Sequence, residues 1–299
     1  MRVIVAVDPT ADPDWVENAL RVFPLGDPLD IVLVSALDIP RPPLTSPGRT
    51  ARRLYGSAIA GLLAQAQRAA EQVTKSLQVR LATRVASVAA RIVDGRPTPT
   101  IIQAAAAWNA DLILTGSSGR GALSRALLGS VSDEVVRSAP CPVLVAKRWV
   151  ASLQRVLAAT DGSRHAEAAL RFLAKLPVPA TAEVRVCVVS EAPPRPPIPP
   201  LFGHGQRQSM LLVAEMEKQS ALRAMDRAQG ILADLSIETQ SSLRAGDAGH
   251  ELTDEVNRWV PDLLVIGARG RTAGPNVSLG RVAEVVLRAT RCPTLVVRA

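Results

Sequence analysis

Short apolar runs alternate along the chain with longer stretches in which apolar residues recur every three or four positions. The runs predict buried strands and the longer stretches predict amphipathic helices. In the first half, the predicted strands cover residues 3–7, 31–37, 83–93, 112–115 and 142–146. The predicted helices cover residues 15–22, 54–77, 99–108 and 131–138, with Thr98 as the N-cap of the third. Because strands apolar on both faces alternate with helices, the pattern indicates a covered parallel sheet.

The second half of the chain repeats this order. Its predicted strands cover residues 156–160, 184–190, 237–243, 263–266 and 294–297, and its long helix covers residues 210–235. Trp108 and Trp259 are as far apart in the sequence as Gly129 and Gly280, and many other identities keep the same register. The chain is therefore predicted to be a tandem duplication, with domains at residues 1–148 and 153–299.

Composition narrows the class of protein. Of the 299 residues, 47% are apolar, 21% are charged and 3% are aromatic, which excludes a disordered, collagen-like or disulfide-stapled chain. The scarcity of aromatic residues argues against a base-stacking surface. The net charge of +8 is spread along the chain without a run of Lys or Arg. A basic solvated surface is therefore favoured over nucleic-acid binding.

The cysteines and the apolar windows indicate the compartment. Three cysteines without CxxC spacing argue against a disulfide framework or a zinc site. We expect Cys141, Cys187 and Cys292 to be buried residues of a reduced, cytoplasmic protein. The first apolar run is too short for a signal peptide, and no window reaches the roughly 18 apolar residues of a membrane span. No membrane association is expected.

One motif that can carry chemistry connects the fourth strand to the last helix of the first half. It consists of Gly116-Ser-Ser-Gly119, nine further residues, and Gly129-Ser130-Val131-Ser132. Glycines at such a connection let backbone N–H groups approach phosphate oxygens, and the helix N-terminus adds free N–H groups and positive charge. Ser130 and Ser132 can donate hydrogen bonds to the same phosphates. The spacing is neither a Walker A loop nor a dinucleotide fingerprint. The alternative is a loop that needs glycine only for its turns.

With these residues the chain resembles the universal stress protein family in its tandem-domain form. The resemblance rests on Val7-Asp8, Gly95, the Gly-x2-Gly-x9-Gly-Ser loop and the closing Cys-Pro-Val-Leu-Val segment. It implies an α/β fold of two open, Rossmann-like, five-stranded parallel sheets of order 3-2-1-4-5, with helices on both faces. It also implies ATP binding, which many members of the family show, although others lack the loop and do not.

The resemblance implies a nucleotide site at the carboxyl ends of the strands in each half. In the first half, adenine and ribose would lie near Ala6, Val7, Asp8 and Ala36. Asp8 would bind the ribose, order the loop or only cap it. The first-half residues implied to hold the phosphates are Thr115, Gly116, Gly119, Gly129, Ser130, Val131 and Ser132. The matching residues of the second half are Thr160, Asp161, Val189, Ile266, Gly267, Gly270, Gly280, Arg281 and Val282.

The second half departs from the family pattern after its last loop glycine. Arg281 stands in the place of Ser130, and Ala283 stands in the place of Ser132. Arg281 would either add a phosphate-binding charge or fill the pocket, and filling is favoured because the glycine contact needs close backbone approach. The first-half site is therefore expected to be the better one, although the second half has the fuller Asp161-Gly-Ser opening.

Other polar residues give weaker signals. His165 is expected to be an exposed residue at a helix start, with approach to a phosphate as the alternative. Asp12 and Asp14 are candidates to assist a Mg²⁺ that accompanies ATP, with helix capping as the alternative. No catalytic triad or metal-binding carboxylate pair is legible. The residues loosely suited to phosphoryl transfer are Asp8, Ser130, Arg120 and Arg125.

The leading hypothesis is a cytoplasmic regulatory protein that binds ATP and responds to stress or energy state. The alternatives are a slow ATPase or phosphotransferase, and an interaction module with vestigial sites. The expected partners are ATP or another adenine nucleotide and an unidentified protein. The last strands, at residues 143–146 and 294–297, are expected to pair antiparallel within the chain and cover two sheet edges. The monomer would then be a pseudo-dimer, and a homodimer of chains stays open.

Overall fold

The computed structural model describes residues 1–39, 49–117, 128–191, 204–233, 237, 239–274 and 277–299. They form two compact units. Unit 1 comprises Met1–Arg21 and Leu25–Trp149, and unit 2 comprises Val22–Pro24 and Val150–Ala299.

Unit 1 is a five-stranded parallel sheet of order β3-β2-β1-β4-β5. Its strands are β1 (Arg2–Ala6), β2 (Asp30–Leu37), β3 (Ser87–Asp94), β4 (Leu112–Gly116) and β5 (Val143–Ala146). Its helices are α1 (Asp14–Val22), α2 (Arg49–Leu81), α3 (Pro97–Ala107) and α4 (Ser130–Ser138).

Unit 2 repeats this sheet with the order β8-β7-β6-β9-β10. Its strands are β6 (Arg155–Ala159), β7 (Glu183–Ser190), β8 (Thr239–Ala245), β9 (Leu263–Gly267) and β10 (Thr294–Val297). Its helices are α5 (Arg164–Ala174), α6 (His204–Leu232), α7 (Ala248–Trp259) and α8 (Arg281–Ala289). Renumbered within each unit, both orders are 3-2-1-4-5, so the predicted fold class is confirmed.

The inner strands of each sheet are buried at nearly every position. The fully buried residues of β1, β4 and β6 are Val3, Ile4, Val5, Leu112, Ile113, Leu114, Val156, Leu157 and Ala158. A parallel strand covered on both faces must be apolar at successive positions. The central strands therefore appear in the sequence as unbroken apolar runs rather than as alternating ones.

The third strand of each unit departs from this pattern. Residues Ala89, Ala90 and Arg91 of β3 are exposed, and β8 alternates between exposed and partly buried residues. Each of these strands is the last in the order of its unit and has a strand on one side only. The expectation of burial on both faces is wrong for β3 and β8.

Several predicted boundaries are also wrong by a few residues. Helix α2 runs to Leu81, beyond its predicted end, and β3 accordingly begins at Ser87 rather than at residue 83. Arg96, not Thr98, is the N-cap of α3. Pro97 occupies the first helical position, where the missing N–H of proline costs nothing and its fixed φ suits the helix.

The strand registers identify which residues of the two units correspond. Ile4 pairs with Val32 between β1 and β2, and Leu157 pairs with Arg185 between β6 and β7. Val32 and Arg185 therefore occupy the same place in their sheets, although one is apolar and the other is charged.

The cysteines follow the prediction in part. Cys187 and Cys292 are buried, whereas Cys141 is only partly buried. Burial raises the pKa of the Cys141 and Cys187 thiols to about 12, so neither is a thiolate at neutral pH.

Among the residues that the structure describes, no helix combines the length and apolar character needed to cross a bilayer.

Candidate functional site

In each unit one backbone hydrogen bond joins the two ends of the glycine-rich loop. The Gly129 N–H donates to the Ser117 oxygen at 2.6 Å, and the Gly280 N–H donates to the Ala268 oxygen at 2.8 Å. Gly129 and Gly280 are also the N-caps of α4 and α8. The loop therefore returns from the carboxyl end of a strand to a helix N-terminus, whose first N–H groups have no partner within the helix.

Unit 2 has a cavity of about 450 Å³ at this end of its sheet. Its walls include the ends of β6, β7 and β9 and the start of α8. All nine residues predicted for the second-half site line it, namely Thr160, Asp161, Val189, Ile266, Gly267, Gly270, Gly280, Arg281 and Val282. A cavity of this size is typical of small-molecule sites.

Gly267 is required by helix packing. A Cβ at this position would lie 2.5 Å from the Ala166 nitrogen and 2.7 Å from the His165 carbonyl carbon, both backbone atoms of α5. A Cβ at the corresponding Gly116 would lie 3.4 Å from the Trp15 ring, which is an ordinary contact. The first loop glycine therefore has a purely steric reason in unit 2, beside the phosphate approach expected from the sequence.

The Asp161 carboxylate orders the loop of unit 2. Its Oδ1 accepts from the Ser163 N–H at 2.9 Å, and its Oδ2 accepts from the Arg271 N–H at 2.8 Å. In unit 1, Asp8 Oδ1 accepts from the backbone N–H and the hydroxyl of Thr10, at 2.9 and 2.7 Å. The Asp161 carboxylate thus joins two chain segments, whereas the Asp8 carboxylate caps its own turn, which is one of the roles expected for Asp8.

Arg281 lies on the wall of the cavity and is held by two carboxylates. Its Nη2 is 2.8 Å from Asp247 Oδ2 and 3.6 Å from Glu191 Oε1. Asp247 is the N-cap of α7, and Glu191 follows β7. The bond from Arg281, together with the backbone N–H of His250, lowers the pKa of Asp247 and keeps it ionised. The cavity persists beside Arg281, so this side chain does not fill the pocket as expected.

A second cation of the loop is paired in the same way. The Arg271 guanidinium donates to the Ser220 hydroxyl at 2.7 Å and lies 3.2 Å from the Glu217 carboxylate, both on α6. Two arginines on the cavity wall are therefore neutralised by carboxylates of unit 2 itself. The remaining donors toward a bound anion include the N–H groups at the start of α8.

The residues predicted for the first-half site lie at the corresponding ends of unit 1. Ala6, Val7 and Thr115 are buried, Asp8, Ala36, Gly116, Gly129 and Val131 are partly buried, and Ser130 is exposed. Gly119, Arg120 and Arg125 lie outside the described residues.

The hydroxyl of Ser132 serves a structural contact. It is 5% exposed and donates to the Gly116 oxygen at 2.5 Å, and it lies 3.4 Å from Thr115 Oγ1. Its proton joins the start of α4 to the end of β4 in this conformation. Ser130 is the hydroxyl that remains exposed at the helix N-terminus.

The two units place charge differently around the helix N-terminus. Gly95 and Gly246 each donate an N–H to the last residue of the second strand of their unit. The residues that follow them, Arg96 and Asp247, therefore correspond. Unit 1 combines Arg96 with Ser130, whereas unit 2 combines Asp247 with Arg281. Within the described part of unit 1, Arg96 makes no ion pair.

Two weaker predictions have a clear outcome. His165 is 4% exposed, so the expectation of an exposed histidine is wrong; its Nδ1 accepts the Ala299 N–H at 2.8 Å. Asp12 accepts from the Asp14 N–H at 2.9 Å, and Asp14 pairs with Arg80 at 2.8 Å. Across the described ranges, no three acidic, His or Cys side chains are grouped to hold a metal.

Sequence reasoning missed Glu191, Asp247 and Arg96. A usable signal exists for Asp247 and Arg96. Each follows a glycine that lies between the third strand of its unit and the next helix. The carboxyl ends of neighbouring parallel strands meet at one edge, so this position faces the same site as the loop.

A model of the universal stress protein family matches residues 1–147 and again residues 152–298. The chain belongs to the universal stress protein family. It is a tandem member, because the two matches cover the two units.

Known universal stress proteins are similar to this chain over one or both of its units. A universal stress protein of Mycobacterium tuberculosis is 30% identical over 234 residues, covering 73% of this chain and 71% of the relative. The structure of a universal stress protein from Archaeoglobus fulgidus covers 99% of this chain and 96% of its own, with a TM-score of 0.63 and 18% identity. Another, solved in complex with cAMP, covers 49% of this chain and 97% of its own, with a TM-score of 0.31 and 21% identity.

Proposed function

We propose that each unit binds an adenine nucleotide at the carboxyl ends of its strands. The observation that carries this proposal is the cavity of unit 2. Nine residues chosen from the sequence line one space of about 450 Å³, and one wall is the N-terminus of α8. Open parallel sheets bind ligands at this edge, and unpaired N–H groups at a helix start favour a phosphate.

We also propose that unit 1 holds the stronger of the two sites and that its ligand is ATP, bound with or without Mg²⁺. A triphosphate needs positive charge that is not already paired. In unit 2, Arg281 and Arg271 are bound by carboxylates, and Asp247 and Glu191 would repel a phosphate chain. In unit 1, the carboxylate at the first of these positions is replaced by Arg96. The order expected from the sequence is thus kept, but charge replaces steric filling as its reason.

The role that fits such a site is regulatory binding rather than catalysis. Hydrolysis requires a base that orients water. The Asp161 carboxylate, which lies on the cavity wall, already accepts the backbone N–H of Ser163 in its own turn and that of Arg271 in the glycine-rich loop. A bound nucleotide would therefore change the order of the loop rather than undergo rapid turnover. We propose a cytoplasmic stress-response regulator; the intrachain pairing of the last strands and the homodimer stay predictions.

Isothermal titration with ATP tests the proposal with a matched pair of variants. Val131→Glu and Val282→Glu place a carboxylate in the first turn of α4 and α8, where it suits the helix dipole but repels phosphate. We expect two sites in the wild type, with the tighter lost in Val131→Glu and the weaker lost in Val282→Glu. The control is Arg288→Gln, an exposed residue farther along α8.

Two results would overturn the proposal in different ways. Absence of binding heat and of a thermal shift with ATP would indicate an interaction module with vestigial sites. Multiple turnovers of ATP with Mg²⁺, removed by Gly116→Ala, would indicate an enzyme.

A further inference from the structure

A second cavity lies in unit 1 and shares no residue with the proposed nucleotide site of that unit. It has a volume of about 240 Å³ and lies between the first three strands and the end of α3. Its lining includes Ile4, Val32, Ala89, Arg91, Ala104 and Trp108. The described apolar walls belong to the middle of the strands, so the space is separate from their carboxyl ends.

The corresponding space in unit 2 is occupied by side chains of the protein. Arg185 corresponds to Val32, and its guanidinium lies 4.3 Å from the centre of the Trp259 ring. Its Nη1 is 3.0 Å from the Glu255 carboxylate, and its Nη2 donates to the Gln240 amide oxygen at 2.9 Å. In unit 2 a planar group is thus stacked on the tryptophan and held by two polar partners.

Unit 1 replaces all three of these side chains by small apolar ones. Val32 pairs with Ala89, as Arg185 pairs with Gln240, so Ala89 stands in the place of the amide. Ala104 lies four residues before Trp108, as Glu255 lies four residues before Trp259. Truncating an arginine, a glutamine and a glutamate leaves a space beside a tryptophan ring whose counterpart is stacked. The cavity is therefore the volume that these three side chains fill in unit 2.

We propose that this cavity is a binding site for a small planar aromatic carboxylate. The Trp108 ring offers a stacking surface, and offset stacking of aromatic rings is favourable. The pocket is open along β3, where Ala89 and Arg91 are exposed, and its volume of about 240 Å³ leaves room for a ring system with one short substituent.

The charge of the ligand follows from the rim. Arg91 lies on the lining, is exposed and makes no ion pair within the described residues. A guanidinium binds a carboxylate with planar, paired hydrogen bonds. A cation such as the guanidinium of unit 2 is disfavoured here, because Ala104 supplies no counterpart of the Glu255 carboxylate and Arg91 repels it.

The test uses indole-3-acetate as the probe and the indole N–H signals of the four tryptophans in an NMR titration. The Trp108 signal is assigned with Trp108→Phe. We expect a saturable shift of that signal, with the cation tryptamine binding roughly ten-fold more weakly. Arg91→Gln should remove most of this preference, which is about the effect of one charge-assisted hydrogen bond.

Filling variants separate this cavity from other surfaces. Val32→Arg combined with Ala104→Glu restores two of the three side chains of unit 2, and Ala104→Leu fills the space without burying charge. Both should abolish binding, while Ala107→Glu, at an exposed position of the same helix, should not. Unchanged binding in Ala104→Leu, a shift of Trp259 in place of Trp108, or equal affinity for tryptamine would each overturn the proposal.

Discussion

At the two positions where unit 2 carries Arg281 bound to Asp247, unit 1 carries Ser130 and Arg96. Beside the tryptophan that both units share, unit 2 carries Arg185 and Glu255, whereas unit 1 carries Val32 and Ala104. The strand order and the loop closure are the same in both.

The two copies therefore differ in where they place charge, while the strand order and the loop closure are the same. In unit 2, carboxylates of the same unit bind the arginines at the proposed nucleotide site and beside Trp259. In unit 1, the same two places keep cations at the rim, namely Arg96 and Arg91. We therefore propose unit 1 as the copy suited to anionic ligands, whereas the ion pairs described in unit 2 join segments of that unit to one another.

The largest expected effect is the loss of Glu255. This carboxylate is 5% exposed and binds Arg185 at 3.0 Å and Arg244 at 2.9 Å. Glu255→Ala removes the carboxylate that both of these partly buried guanidinium groups contact. It should lower the free energy of unfolding by about 3–5 kcal/mol. Glu284→Ala, which removes a more exposed carboxylate paired with Arg288, should cost at most about 1 kcal/mol. Equal costs in urea unfolding would contradict the structural role of charge in unit 2.

The next largest difference in stability between the units should come from substituting the first glycine of each loop. Gly267→Ala drives a methyl group into backbone atoms of α5 at 2.5 Å and should cost about 2–3 kcal/mol. Gly116→Ala meets only the Trp15 ring at 3.4 Å and should cost below about 1 kcal/mol. Thermal unfolding of the two variants checks the difference, and a larger loss in Gly116→Ala would reverse it.

Removing one charge should reduce the difference in ATP affinity between the two proposed nucleotide sites. Asp247→Asn keeps a side-chain acceptor for the His250 N–H but removes the carboxylate that binds Arg281. The affinity of unit 2 for ATP should rise roughly ten-fold, or about 1.4 kcal/mol, while its affinity for adenosine stays constant. Titrations in the Val131→Glu background isolate unit 2. An equal gain for adenosine would show that charge is not the cause.

A smaller difference in stability should come from the residue that follows the tryptophan shared by both units. Val260 adopts φ 51° and Asn109 adopts φ 48°, in the left-handed region. Asparagine tolerates this region, whereas a β-branched side chain is strained there. Val260→Asn should stabilise unit 2 by about 1 kcal/mol, and Asn109→Val should destabilise unit 1 by a similar amount. Urea unfolding of both variants measures the pair, and the same sign for both would contradict it.

The smallest expected effect is a pH dependence confined to unit 2. Burial, and then Arg269, Arg164 and Arg298, lower the pKa of His165 below its usual 6.5. The unfolded chain therefore takes up the proton first, and stability should fall as pH drops below about 6.5. His165→Phe should flatten this slope in thermal melts between pH 7 and 5. An unchanged slope would assign the effect to other groups.

Much of the fold and of the unit 2 site follows from the sequence for physical reasons. Buried parallel strands must be apolar throughout, and their carboxyl ends meet at one edge. The strand pattern together with the strand order implied by the family resemblance therefore predicts that repeated residues such as Asp161 and Gly280 lie close together.

The remaining features depend on contacts between distant segments. The burial of His165 depends on Ala299 at the far end of the chain. The pairing of Arg281 with Asp247 and Glu191 depends on two other strand ends. Arg185 lies in a strand, where a lone arginine is typical of a solvent-facing position, and only the register beside Trp259 reveals its role.

Native mass spectrometry of the intact chain with less than one equivalent of ATP tests most directly whether unit 1 is the stronger site. We expect a single bound ATP that is lost in Val131→Glu and retained in Val282→Glu. Loss of that ATP in Val282→Glu alone would contradict it, because the first nucleotide would then occupy the unit whose arginines are already paired.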